Sequence, residues 1–160
     1  MTISSPDVAA AVRKLGVSPD TYGPSLDTHT DPAAAEVVGT ALAGLLAAHP
    51  ADQVVTWHGA DDAVLAHVVA RRLGAAVSRA SELEGVVGFY PVVPAGARVV
   101  LLGTAWQPAR LRTLLNLAAT EHIDVVAVAA VLATPALDEV SQAPVVALVS
   151  GDDGLPGGAR

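Results

Sequence analysis

Residues 98–132, RVVLLGTAWQPARLRTLLNLAATEHIDVVAVAAVL, decide the fold. The pattern predicts a strongly apolar strand at Arg98–Gly103, a helix from Pro108 to about Glu121 and a second strand at Ile123–Leu132. Both strands are nearly continuous runs of Val, Leu and Ala, which is typical of strands that are covered on both faces. Two such strands joined by one helix indicate a right-handed parallel crossover.

The same alternation of strands and helices continues on both sides of this segment. It predicts a helix from Asp31-Pro32 to about His49, a strand at Gln53–Trp57, a helix at Asp62–Leu73 closed by Gly74, a short strand at Ala75–Ser78 and a last strand at Val145–Val149. The least regular stretch is Arg79–Gly96, in which VVGFYPVV could form a small hairpin or a loop over the sheet edge. We therefore expect an α/β fold: a doubly wound, mainly parallel sheet with helices on both faces.

A short helical appendage is predicted at the N-terminus, in residues 1–30. Ser5 is suited to cap a helix that has Pro6 at its first position and ends at Gly16, and a loop rich in Pro, Gly, Asp and Thr follows. Because 160 residues leave room for only one ordinary domain, residues 1–150 are predicted to form one unit. Residues 151–160, GDDGLPGGAR, are predicted to be a flexible tail.

Composition excludes several classes of function. The net charge is −7 and Lys14 is the only lysine, which argues against a sequence-independent grip on nucleic acid. The absence of cysteine removes disulfides and thiolate chemistry. The longest apolar run, Val125–Ala133, is about half of the roughly 18 residues that span a bilayer, so we expect a cytoplasmic protein without a membrane partner. No Walker, nucleophile-elbow or GxGxxG pattern is present.

Ligands of an open parallel sheet bind beyond the carboxyl ends of its strands, where loops lead into helix N-termini. Two loops of this chain occupy such positions, residues 57–62 and residues 103–110. They contain two of the five aromatic residues of the chain, Trp57 and Trp106. We expect any small ligand to lie between these loops.

The segment DQVVTWHGADDAVLAHVVARRLGAAVSRA, residues 52–80, resembles the strand, pyrophosphate loop and helix of the orotate type of type I phosphoribosyltransferase. Trp57-His58-Gly59 falls where that family usually has aromatic-lysine-glycine, and Arg79 falls where its Arg-Lys segment begins. Residues 84–134 look like the region that carries the family's two acids and Thr-Gly phosphate loop. The resemblance covers roughly residues 25–135 and implies a phosphoribosyltransferase-like fold, often dimeric.

The phosphosugar-binding residues of the family are the ones that this sequence lacks. Gly103-Thr104 replace the two acids that hold the ribose hydroxyls, and residues 106–109, WQPA, replace the phosphate loop. Pro108 has no backbone N–H to offer an anion, and His58 replaces a lysine. The lysine-bearing mobile loop is reduced to residues 80–83. Most of the charge that would stabilise a diphosphate leaving group is therefore missing.

Each polar residue of the two loops also has a purely structural explanation. His58 could contact a phosphate or transfer a proton, but a loop histidine without a chemical role is commoner. Asp61 and Asp62 could bind Mg²⁺, but acids in a first helical turn commonly just complement the helix dipole. Trp57 and Trp106 could line a used pocket or plug an emptied one. Arg110 could bind an anion or belong to a solvated helix face.

These considerations predict a catalytically inactive phosphoribosyltransferase-like domain, a pseudoenzyme that binds a small anionic or nucleotide-like ligand or a protein partner. No catalytic residue and no metal ligand is assigned. The predicted ligand-binding residues are Trp57, His58, Gly59, Asp61, Asp62, Arg79, Gly103, Thr104, Trp106, Gln107 and Arg110. We expect a homodimer and no cofactor.

Two alternatives stay open at the level of sequence. The first is a divergent phosphoribosyltransferase of nucleotide metabolism, which would use phosphoribosyl pyrophosphate and Mg²⁺. Its candidate residues are Thr104, Gln107, Arg110, His58, Arg79 and Asp61 or Asp62. The second is a structural assembly partner whose Ala-rich surface of low charge forms an interface with another protein.

Overall fold

The computed structural model describes residues 5–20 and 23–150 of the chain. Its elements in chain order are α1 (Pro6–Leu15), β1 (Val17–Asp20), β2 (Gly23–Leu26), α2 (Pro32–Leu46), β3 (Gln53–Trp57), α3 (Ala60–Leu73), β4 (Ala76–Leu83), β5 (Val86–Tyr90), β6 (Arg98–Ala105), α4 (Pro108–Thr120), β7 (Asp124–Leu132), a 3-10 helix (Pro135–Glu139) and β8 (Val145–Val149). None of the helices in these residues is long and apolar enough to span a membrane.

The main sheet has six strands in the order β5-β4-β3-β6-β7-β8. Strand β5 pairs antiparallel with β4, and all other neighbouring strands are parallel. From β3 the chain moves outward to β4 and β5, and it then crosses back to β6 on the other side of β3. The predicted doubly wound, mainly parallel sheet is confirmed, and its topological switch point lies between β3 and β6.

Two apolar cores cover the two faces of this sheet, as the continuous apolar strands predicted. On one face Val100 and Leu102 of β6 pack with α1, α2 and α3. On the other face Val99 and Leu101 pack with α4 and the 3-10 helix. Because successive strand residues point to opposite faces, β6 is buried along almost its whole length.

Local capping explains where several helices begin and end. The Ser5 hydroxyl accepts a hydrogen bond from the Val8 N–H, and the Asp31 carboxylate accepts one from the Ala34 N–H at 2.9 Å. Gly74 closes α3 in the left-handed conformation with φ 68°. The predicted starts at Pro6 and Pro32 and the predicted stop at Gly74 are confirmed.

Several predicted elements differ from the structure in extent. Helix α2 ends at Leu46 and not near His49, and α3 begins at Ala60 and not at Asp62. The predicted loop after Gly16 contains the antiparallel ladder of β1 and β2, in which Val17 lies opposite Leu26. The strand predicted at Ala75–Ser78 continues to Leu83, because β5 pairs with its second half. Glu84 and Gly85, both with positive φ, form the two-residue turn between these strands. The stretch VVGFYPVV is therefore not a hairpin by itself, because Val86–Tyr90 is one strand of a larger hairpin with β4. The predicted tail, residues 151–160, lies outside the described residues.

Helices α2 and α3 approach each other closely at Gly39. A Cβ atom on Gly39 would lie 2.5 Å from the Cγ1 atom of Val68, which is itself buried. Gly44 lies on the same helix, and a Cβ atom there would meet nothing within 4 Å. The α2–α3 contact therefore depends on glycine at position 39 and not at position 44.

We expect Gly39→Ala to lower the free energy of unfolding by about 1–3 kcal/mol, because the added methyl group overpacks the contact with Val68. Gly44→Ala is the matched control and should raise that free energy by about 0.5–1 kcal/mol through helix propensity alone. Urea unfolding followed by circular dichroism measures both. Equal effects of the two substitutions would contradict this packing.

Candidate ligand-binding cleft

A cleft of about 420 Å³ opens beside the end of β3, on the α4 face of the sheet. We call it the Trp57 cleft. Its walls come from the end of β3, the β4–β5 hairpin and the first turns of α4. The residues that line it are Trp57, His58, Ser81, Glu82, Val87, Ala109, Arg110 and Thr113.

Trp57 and Arg110 form the most specific contact of this cleft. The Cζ atom of Arg110 lies 5.4 Å from the centroid of the Trp57 ring, which is within the range of a cation–π interaction. Trp57 is half-buried and packs against the apolar core on the α4 side. Arg110 is exposed and has no ion pair among the described residues. The cleft therefore presents an aromatic face beside an exposed guanidinium, which also interacts electrostatically with the Asp62 carboxylate.

His58 is fixed at the mouth of the cleft by its backbone. Its N–H donates to the carbonyl of Ala80 at 2.8 Å, which continues the β3–β4 ladder by one residue. Glu82, two residues further along β4, is the only carboxylate in the lining. The cleft thus combines two groups that can contact an anion, Arg110 and His58, with one carboxylate, and the hydroxyls of Ser81 and Thr113 add further polar groups.

Asp61 holds the segment before α2 against the start of α3. The hydroxyl of Thr28 donates to the Asp61 carbonyl at 2.7 Å, and His29 Nδ1 lies 2.8 Å from Asp61 Oδ1. The hydrogen bond with the Asp61 carboxylate raises the pKa of His29 above its ordinary value of 6.5. The Asp61 carboxylate therefore already has structural partners.

Asp62 connects α3 to the end of β6. Its Oδ1 atom accepts a hydrogen bond from the Thr104 N–H at 2.7 Å. Burial raises the pKa of this carboxyl above its ordinary value of 3.8, although the hydrogen bonds from Thr104 lower it in part. In residues 5–20 and 23–150 no group of three His, Asp or Glu side chains is arranged to hold a metal ion.

Trp106 fills the space beyond the end of β6. Its side chain is 4% exposed, and the indole Nε1–H donates to the Ala129 carbonyl of β7 at 2.9 Å. The Trp106 carbonyl in turn accepts from the Thr134 hydroxyl at 2.8 Å. A Cβ atom on Gly103 would lie 3.1 Å from the indole ring, so the ring covers this glycine closely. Trp106 could line an open pocket or fill the space of a lost one, and its burial and internal hydrogen bond favour the second alternative.

The structure distributes the eleven predicted ligand-binding residues over four places. Three of them line the Trp57 cleft: Trp57, His58 and Arg110. Asp61, Asp62, Gly103, Thr104 and Trp106 make the internal contacts just described, while Gly59 and Gln107 occupy the N-cap positions of α3 and α4 without a side-chain capping bond. Arg79 lies on the opposite face of the sheet.

Five lining residues were not on the list of predicted ligand-binding residues, namely Ser81, Glu82, Val87, Ala109 and Thr113, although Ala109 lies in the predicted loop of residues 103–110. The first three belong to the hairpin, whose first strand was predicted to end at Ser78. Ala109 and Thr113 accompany Arg110 on the first turns of α4 and were detectable from helical spacing.

Similarity to known proteins was found by comparison of structures and not by comparison of sequences. No protein-family model matches the sequence, and no curated protein matches it either. The solved structures that resemble it include adenine phosphoribosyltransferase from Saccharomyces cerevisiae, with a TM-score of 0.73 and 15% identity over 91% of this chain and 100% of that one. Orotate phosphoribosyltransferase from Mycobacterium tuberculosis has a TM-score of 0.67 and 19% identity over 91% and 96% of the two chains.

The chain has the type I phosphoribosyltransferase fold. A third structure, adenine phosphoribosyltransferase from Trypanosoma brucei, has a TM-score of 0.72 and 14% identity over 99% of this chain and 89% of that one. The resemblance seen in the sequence is thereby confirmed for the fold. At these identities the likeness concerns the path of the chain and not the chemistry of its site.

We expect Asp62→Ala to lower the free energy of unfolding by about 1–3 kcal/mol, because the Thr104 N–H loses its acceptor. Asp62→Asn is the matched control, since its amide oxygen can still accept that hydrogen bond. Urea unfolding at a fixed pH compares both variants with the wild type. Equal stability of the Ala and Asn variants would show that the Thr104 contact contributes nothing.

A comparison of the wild type with Asp62→Asn at different pH values tests the raised pKa of Asp62. A carboxyl whose pKa is raised on folding binds its proton more tightly in the native state, so its contribution to stability falls as pH rises. The wild type should therefore lose stability relative to Asp62→Asn as pH increases from about 4 through the folded-state pKa. A difference that is constant with pH would contradict the raised value.

Proposed function

We propose that this chain is a ligand-binding module built on the phosphoribosyltransferase fold, without transferase activity. Its ligand is a small anionic or nucleotide-like molecule that lies in the Trp57 cleft. The observation that carries this proposal is the position of Trp106. Trp106 belongs to residues 106–109, where the sequence resemblance leads one to expect the phosphate loop, and its indole ring covers Gly103, where the resemblance leads one to expect an acid.

A second internal group supports the same conclusion. The Thr104 N–H, a donor at the end of β6, is already bonded to the Asp62 carboxylate at 2.7 Å. A bound anion would have to displace that carboxylate and would be repelled by it. Since Pro108 provides no N–H at the first position of α4, the loop offers few donors for a sugar phosphate.

The Trp57 cleft, in contrast, keeps groups suited to a ligand. A planar ring can stack on an indole face, and a guanidinium can bind an anionic group with two parallel hydrogen bonds. Trp57 and Arg110 supply these two groups within 5.4 Å of each other. The Trypanosoma brucei enzyme was solved with AMP, pyrophosphate and ribose 5-phosphate, and these three molecules are useful probes here.

The arrangement of the remaining polar residues weighs against the divergent transferase. Asp61 and Asp62 are engaged with His29 and Thr104, and Arg79 lies across the sheet from Arg110. A transferase would need these charges to converge on one diphosphate and its Mg²⁺. The assembly-partner alternative predicts a stable protein complex and no small-molecule binding, and the homodimer remains part of our proposal.

We expect AMP to quench the fluorescence of Trp57. In a Trp106→Phe variant, Trp57 is the only tryptophan, so a saturable change on AMP titration reports on this cleft. Adding Arg110→Gln to this variant should weaken AMP binding about tenfold or more, because a charge-assisted contact is lost. Arg112→Gln is the matched control on the same helix, since Arg112 pairs with Glu139 at 2.8 Å.

Two results would count against this binding site. One is an AMP affinity that falls equally in the Arg110 and Arg112 variants, which would indicate general electrostatics. The other is the absence of any response to AMP, pyrophosphate or ribose 5-phosphate, together with a stable complex in a pull-down from the native host. That combination would favour the assembly partner. Unfolding curves of each variant control for loss of structure.

A further inference from the structure

A second cleft, of about 300 Å³, lies on the opposite face of the sheet from the Trp57 cleft. Residues Thr56, Arg79 and Tyr90 stand side by side across β3, β4 and β5, because Arg79 is paired with both Thr56 and Tyr90. Their chain neighbours Val55, Ala80 and Phe89 belong to the core on the α4 side. Alternation along a strand therefore places this row on the α3 side. We call it the Arg79 cleft; its other lining residues are Ala63, Val77 and Pro91.

Arg79 supplies an uncompensated positive charge to this cleft. The side chain is exposed, and it has no hydrogen bond or ion pair among residues 5–20 and 23–150. None of the six residues that line the cleft is acidic. A guanidinium in such surroundings is suited to the bidentate binding of a carboxylate or a phosphate.

Thr56 adds a polar group at the floor of the cleft. The residue is 1% exposed, and its hydroxyl makes one long hydrogen bond, 3.4 Å, to the Trp57 carbonyl. Hydroxyl donors normally lie 2.5–3.0 Å from their acceptors, so this bond is weak. The hydroxyl can therefore exchange this weak bond for a shorter one to an anionic oxygen.

The rest of the cleft is apolar and unusually exposed. Tyr90 is 46% exposed and Val77 is 40% exposed, and Pro91 and Ala63 complete the wall. Tyr90 and Val77 together expose apolar surface to solvent, and a flat ligand could cover it. A free phosphate would leave this area uncovered, so the lining favours an anion with an apolar body.

We propose that the Arg79 cleft binds a small aromatic carboxylate. The carboxylate lies against the Arg79 guanidinium and the Thr56 hydroxyl, and the ring packs on Tyr90 and Val77. This site is separate from the Trp57 cleft and does not depend on the function proposed for it.

The test is ligand-observed ¹⁹F NMR of 3-fluorobenzoate with the full-length protein. Arg79→Gln should weaken binding about tenfold or more, because the charge-assisted contact is lost, and Thr56→Val should weaken it by a smaller factor. Arg71→Gln, on the surface of α3, is the charge-matched control and should leave the affinity unchanged, whereas Arg110→Gln shows whether the probe also binds in the Trp57 cleft. Thermal unfolding confirms that each variant is folded.

Four results would overturn the proposal. The first is no binding of 3-fluorobenzoate at millimolar concentration. The second is a loss in Arg110→Gln but not in Arg79→Gln, which would place the probe in the Trp57 cleft. The third is inorganic phosphate that binds at Arg79 as tightly as the aromatic probe. The fourth is a dimer, seen by analytical ultracentrifugation, that Tyr90→Ala dissociates, because a second copy would then cover the cleft.

Discussion

The hydrogen bond from the Trp106 indole to the Ala129 carbonyl is the contact on which the character of the site depends. It joins the chain just beyond β6 to the middle of β7, and it holds a large ring over Gly103. A buried indole N–H needs a hydrogen-bond acceptor, and the Ala129 carbonyl of the neighbouring strand β7 is that acceptor. Position 103 must then be small. Gly103 and Trp106 depend on each other, because the indole ring occupies the space that a side chain at position 103 would need. The same contact excludes a carboxylate side chain from position 103.

The same logic extends to the other loop of the switch point. Asp62 reaches from the first turn of α3 to the Thr104 N–H, and Asp61 holds Thr28 and His29. Internal groups thus occupy the donors and carboxylates that an open α/β site would direct at a ligand. The exposed positive charges at this end of the sheet lie to the sides of the switch point. Arg110 lies on one face of the sheet and Arg79 on the other. We infer a scaffold whose central site is closed and whose two flanking clefts remain accessible.

Most of the fold was predictable from sequence because its determinants are local. Continuous Val and Leu runs identified the buried parallel strands, and Ser5, Pro32 and Gly74 marked helix ends through short-range capping. The length of β4 was not predictable from residues 79–83 alone, since its second half is defined by pairing with β5.

The site was harder to predict than the fold, because its contacts join residues that are far apart in the sequence. Whether Trp106 lines or fills a pocket depends on Ala129, 23 positions away, and whether Asp62 is free depends on Thr104, 42 positions away.

We propose that Trp106 and Asp62 exclude phosphoribosyl pyrophosphate from the end of β6, and isothermal titration of this compound with Mg²⁺ into the wild-type protein is the decisive test. Orotate and nucleoside monophosphates, titrated in parallel, show whether the protein sample binds other ligands. We predict no heat of binding from phosphoribosyl pyrophosphate, with binding of a nucleoside monophosphate retained. Micromolar binding of phosphoribosyl pyrophosphate would contradict this exclusion, because the ligand would have to displace Trp106 and Asp62. It would also favour the divergent transferase over the binding module.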